Sequence, residues 1–202
     1  MDTAKSFIGE KMPANFTKEE REILIQKFYE QGYVLLKTYG YKKLKVSDIA
    51  AAIGIGTGTF YHFFKSKDEF IIWLIKKRKE EAFNRFLLLA EKHPKGIPFE
   101  AMEQYLLDTI SHFNLYRLLS QAEYNKLQKK YGLLDNRNEQ TKENGKFMME
   151  KLATSKTLED FLLFADAFTI IVIGTSDLTK LNPEVTDEAT KKLLHAACKM
   201  LY

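Results

Sequence analysis

The sequence predicts an all-α protein of about nine helices, in which a three-helix N-terminal domain precedes a larger helical domain. Apolar residues recur at spacings of three and four along most of the chain, which is the pattern of amphipathic helices. No segment alternates convincingly with a period of two, as a half-buried strand would. Only 10 glycines and 4 prolines interrupt the 202 residues, and 45% of them are hydrophobic, which is enough for a core.

The first helix has a clear beginning. Residues 1–15 carry little pattern and are predicted to form an N-terminal arm. Thr17 and Glu20 then fit a capping box, in which the hydroxyl and the carboxylate each accept a backbone N–H of the first turn. The helix that they open is predicted to end near Gly40.

Two short helices follow. Val46–Ile53 has apolar residues at the offsets of one helical face, and Gly54 suits the left-handed conformation that ends a helix. A third helix is predicted from Thr57 to Phe64. These helices complete a domain at 16–66, and the remainder, 67–202, is predicted to form a second, larger helical domain.

The larger domain begins with a second capping box at Ser66 and Glu69, which predicts a long helix over about 67–92. Prolines interrupt the pattern after it. Further helices are predicted near 98–114, 116–131, 136–153, 158–178 and 187–202.

Several classes of protein are excluded by composition. The lone Cys198 cannot form an internal disulfide, and no Cys or His spacing resembles a metal site. The N-terminus lacks the apolar stretch of a signal peptide. The longest apolar run, Phe161 to Gly174, is too short to cross a bilayer. We therefore expect a cytoplasmic protein without membrane, metal or cofactor. No nucleophile–base pair or paired carboxylate site is visible, so we expect no enzyme.

Positive charge is concentrated near the N-terminus. The chain has 31 Lys and Arg against 27 Asp and Glu, a net charge of +4. Residues 1–80 contain 15 basic and 10 acidic residues, whereas residues 81–202 contain 16 and 17. This distribution indicates that the N-terminal part meets an anionic partner.

The two short helices have the pattern of a helix-turn-helix. Ala50 is small where two helices cross, Ile55 fills the turn, and Phe60 and Phe64 face inward. The outward residues are short or polar, as suits a helix that enters the major groove of DNA. They are Thr57, Gly58, Thr59, Tyr61 and His62.

Lysines flank this unit. Residues 40–67 hold five lysines and one aspartate, and such lysines bind phosphates without regard to base sequence. Lys67 is predicted at the first position of a helix, where free backbone N–H groups also favour an anion. Spacing and charge alone leave two interpretations open: DNA binding, or merely solvated helix faces.

The same segment resembles the N-terminal domain of the TetR family of bacterial repressors. The resemblance covers about 45 residues, from Phe28 to Phe70. Its matching pieces are Gly40-Tyr41, Val46-Ser-Asp-Ile-Ala50, Gly54-Ile55, Gly58-Thr-Phe-Tyr61-His-Phe-Phe64 and Lys67-Asp-Glu-Phe70.

The resemblance implies roles for individual residues. Thr57 and Thr59 occupy the outward start of the recognition helix, and Tyr61, His62 and Lys67 match positions that usually bind phosphates. Two of the positions that depart from the family bear on DNA contact, besides Gly56, Gly32 and Leu36. Lys45 stands where a threonine often caps the second helix, and Ser47 stands where an arginine or a similar base-reading residue is common.

The resemblance also implies a function. It predicts a homodimeric, sequence-specific regulator of transcription, a repressor that a small-molecule effector releases from a pseudo-palindromic operator. Two alternatives remain. One is an enzyme that uses an aromatic cavity. The other is a helical small-molecule-binding or scaffold protein whose helix-turn-helix has lost specific DNA reading.

The C-terminal half offers candidate effector and dimer residues. Its many aromatic residues are either core or the lining of an apolar cavity. His112 and Asp166 interrupt apolar surroundings, and Asp166 is expected to be paired, at an interface, or facing a ligand. The candidate pocket residues are Tyr105, His112, Tyr116, Phe147 and Asp166. The two last helices are apolar over a wide face, which predicts a four-helix interface with a second copy.

Overall fold

The computed structural model describes residues 16–114, 117–131 and 139–202, and this part of the chain is entirely helical apart from turns and connecting loops. The all-α prediction is confirmed. The described helices are α1 (Lys18–Lys43), α2 (Val46–Ile53), α3 (Thr57–Phe63), α4 (Lys67–Lys92), α5 (Phe99–Phe113), α6 (Gln121–Tyr131), α7 (Glu139–Leu152), α8 (Leu158–Gly174) and α9 (Thr186–Cys198), with a short 3-10 helix at Leu178–Lys180. The predicted arm, residues 1–15, lies outside the described residues.

The capping residues form as the sequence predicts at the start of α1. The Thr17 hydroxyl accepts the Glu20 N–H, and the Glu20 carboxylate accepts the Thr17 N–H. Gly40 has φ 68° and ψ 165°, a non-helical conformation that interrupts the helix at its predicted end. Glycine tolerates this conformation because it has no Cβ. A further short turn after this kink extends α1 to Lys43.

The chain forms two compact units. The first contains the described residues up to 78 together with 118–131, so that α6 belongs to the same unit as α1, α2, α3 and the first part of α4. The second contains 79–117 and 139–202 in their described parts. The boundaries of these two units differ from the functional boundary that the sequence predicts, between residues 66 and 67. The functional boundary stays a prediction.

The core of the first unit is a cluster of aromatic rings around Phe28. The Phe28 ring centroid lies 5.9 Å from that of Phe60, 5.2 Å from Phe63, 5.1 Å from Phe64 and 5.9 Å from Phe70. Such edge and tilted contacts add to the free energy of apolar burial. The cluster ties α3 to both α1 and α4.

The core of the second unit is built from α5, α7, α8, α9 and the second part of α4. Phe86, Met102 and Leu194 are fully buried in it. Close packing is visible at Gly145 of α7, where a Cβ would lie 2.4 Å from the Phe161 ring of α8. A larger residue at that position would therefore separate the two helices.

Over the described residues, no helix is both long enough and apolar enough to span a membrane.

Candidate nucleic-acid interface

Helices α2 and α3 form a helix-turn-helix with well-defined ends. The Lys45 N–H donates to the Asp48 carboxylate at 3.2 Å, which caps the start of α2. Gly54 takes the left-handed conformation at φ 82°, as predicted. The N–H groups of Gly54 and Ile55 both donate to the Ala50 carbonyl, at 3.0 and 2.9 Å. The turn is thus fixed by backbone hydrogen bonds that satisfy the end of α2.

Helix α3 is anchored on one side and open on the other. Phe60 and Phe63 are buried, and the adjoining Phe64, which caps the helix in an extended conformation, is buried as well. The prediction of inward residues omitted Phe63. Spacings of three and four place it beside Phe60 on the same stripe, and the extended backbone at Phe64 lets that ring turn inward too.

The predicted reading residues lie mainly on the open side. Thr59 is half-buried, and the remaining outward residues of α3 are exposed, with 54% of Tyr61 accessible. Lys45 and Ser47 of α2 are exposed as well. A Cβ built on Gly58 would meet no atom within 4 Å. The exposed residues of α3 are Thr57, Gly58, Tyr61 and His62.

Lys67 is directed toward the protein. Its Nζ donates to the carbonyl oxygens of Tyr41 at 2.7 Å and Leu44 at 3.0 Å, and it lies 4.6 Å from the centre of the Tyr41 ring. The ammonium group therefore caps carbonyls at the C-terminal end of α1, where a cation is favoured by the helix dipole. The sequence predicts a phosphate-binding lysine at this position, and the geometry gives this side chain a structural task.

Tyr41 and Asp68 form a polar cluster with two lysines of α6. The Tyr41 hydroxyl donates to Asp68, and the Lys126 Nζ lies 3.3 Å from that hydroxyl. The Lys130 Nζ lies 3.4 Å from the Asp68 carboxylate. Sequence analysis did not single out these four residues. Up to 85 positions separate the members of the pairs, so no local spacing signals their contact.

The surroundings of the cluster shift the pKa of its two acidic groups, Tyr41 and Asp68. Burial and the adjacent Asp68 raise the pKa of the Tyr41 hydroxyl, which stays protonated and donates. Burial raises the pKa of Asp68, but the Tyr41 hydroxyl, Lys126 and Lys130 offset that effect, and the net pKa is lowered. At neutral pH the cluster therefore contains an ionised carboxylate.

The predicted effector residues that the structure describes lie at several places in the second unit. Tyr105 and Phe147 both pack against the buried Phe86, with ring centroids 5.8 and 6.4 Å from it. The Tyr105 hydroxyl donates to the Ala82 carbonyl at 3.0 Å. His112 is exposed at the end of α5, with its Nδ1 3.1 Å from the Asp108 carbonyl. Tyr116 lies outside the described residues.

Asp166 is exposed on α8, so it is not a buried carboxylate, and its three expected roles stay predictions. Its apolar neighbours on that side of the helix are themselves exposed. Leu163 and Ile170, three positions before it and four after it, share its side of the helix and are 59% and 70% accessible.

An apolar groove runs between α8 and α9. Its volume is about 540 Å³, and its walls are almost entirely aliphatic. Ile170 and Gly174 of α8, Leu193 and Met200 near the end of the chain, and Val185 between the helices are among its lining residues. Leu193 is 58% accessible, although it is a large apolar side chain. Patches of this kind are typical of protein interfaces.

Cys198 is buried in the second unit. Burial, together with the charge of Glu103, raises the pKa of its thiol to about 12. It is therefore protonated at neutral pH and packs as an apolar residue. Among the described residues, no group of three or more His, Cys, Asp or Glu side chains is arranged to hold a metal ion.

The fold and the site define a class of protein. The first unit is a helix-turn-helix domain with an anchored third helix and an exposed polar face. A family model described as bacterial regulatory proteins, tetR family, matches residues 28–72. This match covers the ring cluster, the turn and the start of α4.

A curated relative has the same kind of domain. The chain is 37% identical over 68 residues to a Bacillus subtilis (strain 168) protein named as an uncharacterized HTH-type transcriptional regulator, YwcC. The matched segment spans 34% of this chain and 30% of the relative's length. The similarity to the TetR family therefore lies in the N-terminal domain.

Proposed function

We propose that the protein is a sequence-specific, DNA-binding regulator of transcription in which α3 enters the major groove. The exposed face of α3 carries this proposal. Thr57 and Tyr61 present hydroxyls on a helix whose other side is fixed by Phe60 in the ring cluster. A rigid helix with short polar side chains is what base-edge contacts require.

Roles within the interface follow from position. Thr57, Thr59 and Ser47 are assigned to base edges, and Gly58 lets the backbone approach the DNA because no side chain intervenes. Tyr61, His62 and Lys45 are assigned to phosphates. Thr contacts to thymine methyl groups, water bridges and DNA shape then supply specificity in place of an arginine.

A homodimer is part of the proposal. The apolar groove between α8 and α9 and the exposed aliphatic residues beside it suit a twofold interface with a second copy. Of the three roles expected for Asp166, an interface position is favoured by its place among Leu163 and Ile170. Two copies of α3 would then contact half-sites about one helical turn apart.

We infer that a small-molecule effector controls DNA affinity and that repression is the default mode. Helix α4 supports this inference because it is continuous from Lys67 to Lys92 and contributes to both compact units. An effector that binds better to one position of the second part of α4 would shift the population of DNA-binding states. Tyr105 and Phe147 remain the proposed pocket residues, at the ring cluster around Phe86.

The direct test is selection of bound sequences from a random duplex pool at about 0.15 M salt, where non-specific phosphate binding is weak. We expect a pseudo-palindrome with half-sites about 10 base pairs apart. Thr57→Ala should relax preference at one or two base pairs, by roughly 1 kcal/mol each. An unchanged sequence profile for Thr57→Ala would remove this residue from the base contacts.

A second candidate function is a helical binding or scaffold protein without specific DNA reading. Ser47, in place of a base-reading arginine, and the inward direction of Lys67 favour this alternative. It predicts that selection from the same pool recovers no motif from a folded dimer, while any residual DNA binding depends steeply on salt.

A further inference from the structure

Helix α6 brings positive charge to the first compact unit. It carries Lys126, Lys129 and Lys130 against one carboxylate, Glu123. Glu123 is engaged at the start of the helix, where it accepts the Ser120 N–H at 2.7 Å. The three lysines lie at the other end, spaced three and four apart on one side, and all three are exposed.

The lysines of α6 lie against the ends of two helices of the DNA-binding domain. Lys126 approaches the hydroxyl of Tyr41, which belongs to the last turn of α1. Lys130 approaches Asp68 in the first turn of α4, at 3.4 Å. The last turn of α1 also carries Lys42 and Lys43. The end of α6 therefore continues a basic surface that begins on α1.

The exposed charge of this surface is positive. Only 16% of the Asp68 side chain is accessible, and its carboxylate already accepts the Tyr41 hydroxyl. By contrast, 55% of the Lys130 side chain is accessible. The Lys130 ammonium also lies 4.9 Å from the centre of the Tyr131 ring. Because it has three N–H donors, its contacts with Asp68 and Tyr131 leave a donor for a further acceptor. Lys67 donates to protein carbonyls, so its ammonium group is not part of this exposed positive charge.

We propose that the end of α6 is part of the DNA-binding surface, with Lys126, Lys129 and Lys130 contacting phosphates of the duplex that α3 enters. The inference rests on the proposed function. Its partner is the duplex backbone, since three lysines beside Lys42 and Lys43 match a regular line of negative charge. The competing interpretation is that the three lysines only hold α6 against Tyr41 and Asp68.

Salt dependence separates the two interpretations. Each phosphate contact contributes about 0.9 to the slope of log K against log salt concentration on duplex DNA. On a duplex bound by a dimer, the variant with Lys126, Lys129 and Lys130 all changed to Gln removes six contacts and should lose about 5.4 of that slope. Lys129→Gln alone removes two and should lose about 1.8, and it changes none of the contacts described for Tyr41 and Asp68.

The measurement is fluorescence anisotropy of the full-length chain on a labelled duplex of about 30 base pairs, titrated between about 50 and 200 mM salt. Lys146→Gln, an exposed lysine of α7 in the second unit, is the matched control and should keep the wild-type slope. Lys130→Arg should keep it too, because the charge is retained. Circular dichroism establishes that each variant is folded.

The outcomes are distinguishable. A slope equal to wild type in Lys129→Gln and in the triple variant overturns the inference, even if affinity falls, because a structural role moves affinity without releasing fewer counterions. A wild-type protein that binds no duplex overturns the proposed function, and this inference with it. A reduced slope confined to the α6 variants supports both.

Discussion

Replacement of Lys67 by Met tests whether this lysine holds the end of α1. Methionine keeps an unbranched apolar stem but removes the ammonium group that donates to Tyr41 at 2.7 Å and Leu44 at 3.0 Å. Both residues are buried, so water replaces the lost donor poorly. A hydrogen bond to a charged group contributes about 1.5 kcal/mol or more, and two of them predict a loss of about 3 kcal/mol.

The assay is urea unfolding followed by tryptophan fluorescence. Trp73 is the single tryptophan of the chain, and its ring stacks on Phe70 with centroids 6.0 Å apart. It therefore reports on the unit that contains Lys67. With an m-value of about 2 kcal/mol/M, the midpoint should fall by roughly 1.5 M urea.

Lys65→Met is the matched control, because Lys65 is an exposed lysine two positions earlier. Its free energy of unfolding should change by no more than about 0.5 kcal/mol. If Lys67→Met is as stable as Lys65→Met, the ammonium is not a structural cap. The variant should then instead lose about 1.8 of the salt slope of DNA binding, as expected of one phosphate contact in each protomer of the dimer.

Four further predictions concern packing, helix propensity, pH and assembly. Gly32→Ala should destabilise the first unit by about 1–3 kcal/mol, because its Cβ would lie 2.4 Å from a phenylalanine ring of α4. Gly58→Ala should instead stabilise it by about 0.5–1 kcal/mol while weakening DNA binding, and thermal melts with parallel anisotropy check both. The lowered pKa of Asp68 means that its contribution to stability is complete above the ordinary value of 3.8 and is lost as the pH falls below it. In Asp68→Asn, the free energy of unfolding should therefore fall less steeply at acidic pH than in the wild type. The same steepness in both proteins would contradict this. Leu193→Glu should convert a dimer to monomer in sedimentation, whereas Leu88→Glu, at an equally exposed leucine of α4, should not.

Local sequence signals predicted most of the helix ends in the first unit. The observed bounds of α2 equal those predicted, because its ends depend on residues within a few positions of each other, such as Lys45 with Asp48 and Gly54 with Ala50. The inward direction of Phe60 followed from helical period alone. Caps and periodicity act over one or two turns, and that range is visible in a single sequence.

The directions of individual polar side chains could not be predicted from the sequence. The direction of Lys67 depends on two carbonyls more than 20 positions away, which offer an ammonium group a closer acceptor than solvent. The exposure of Asp166 depends on which side of α8 packs inward, and a helix that is apolar nearly all round gives no sequence signal for that side.

The sequence by itself determined the fold class, the helix-turn-helix with its capping residues, and the polar character of the outer face of α3. The tertiary structure alone decided that α6 belongs to the same unit as the N-terminal helices, that Tyr41, Asp68, Lys126 and Lys130 meet, and that Lys67 turns inward. The physical reason is range. Helix formation and capping are set by neighbours along the chain, whereas the partner of a charged side chain is set by whichever distant group the folded chain brings within hydrogen-bonding distance.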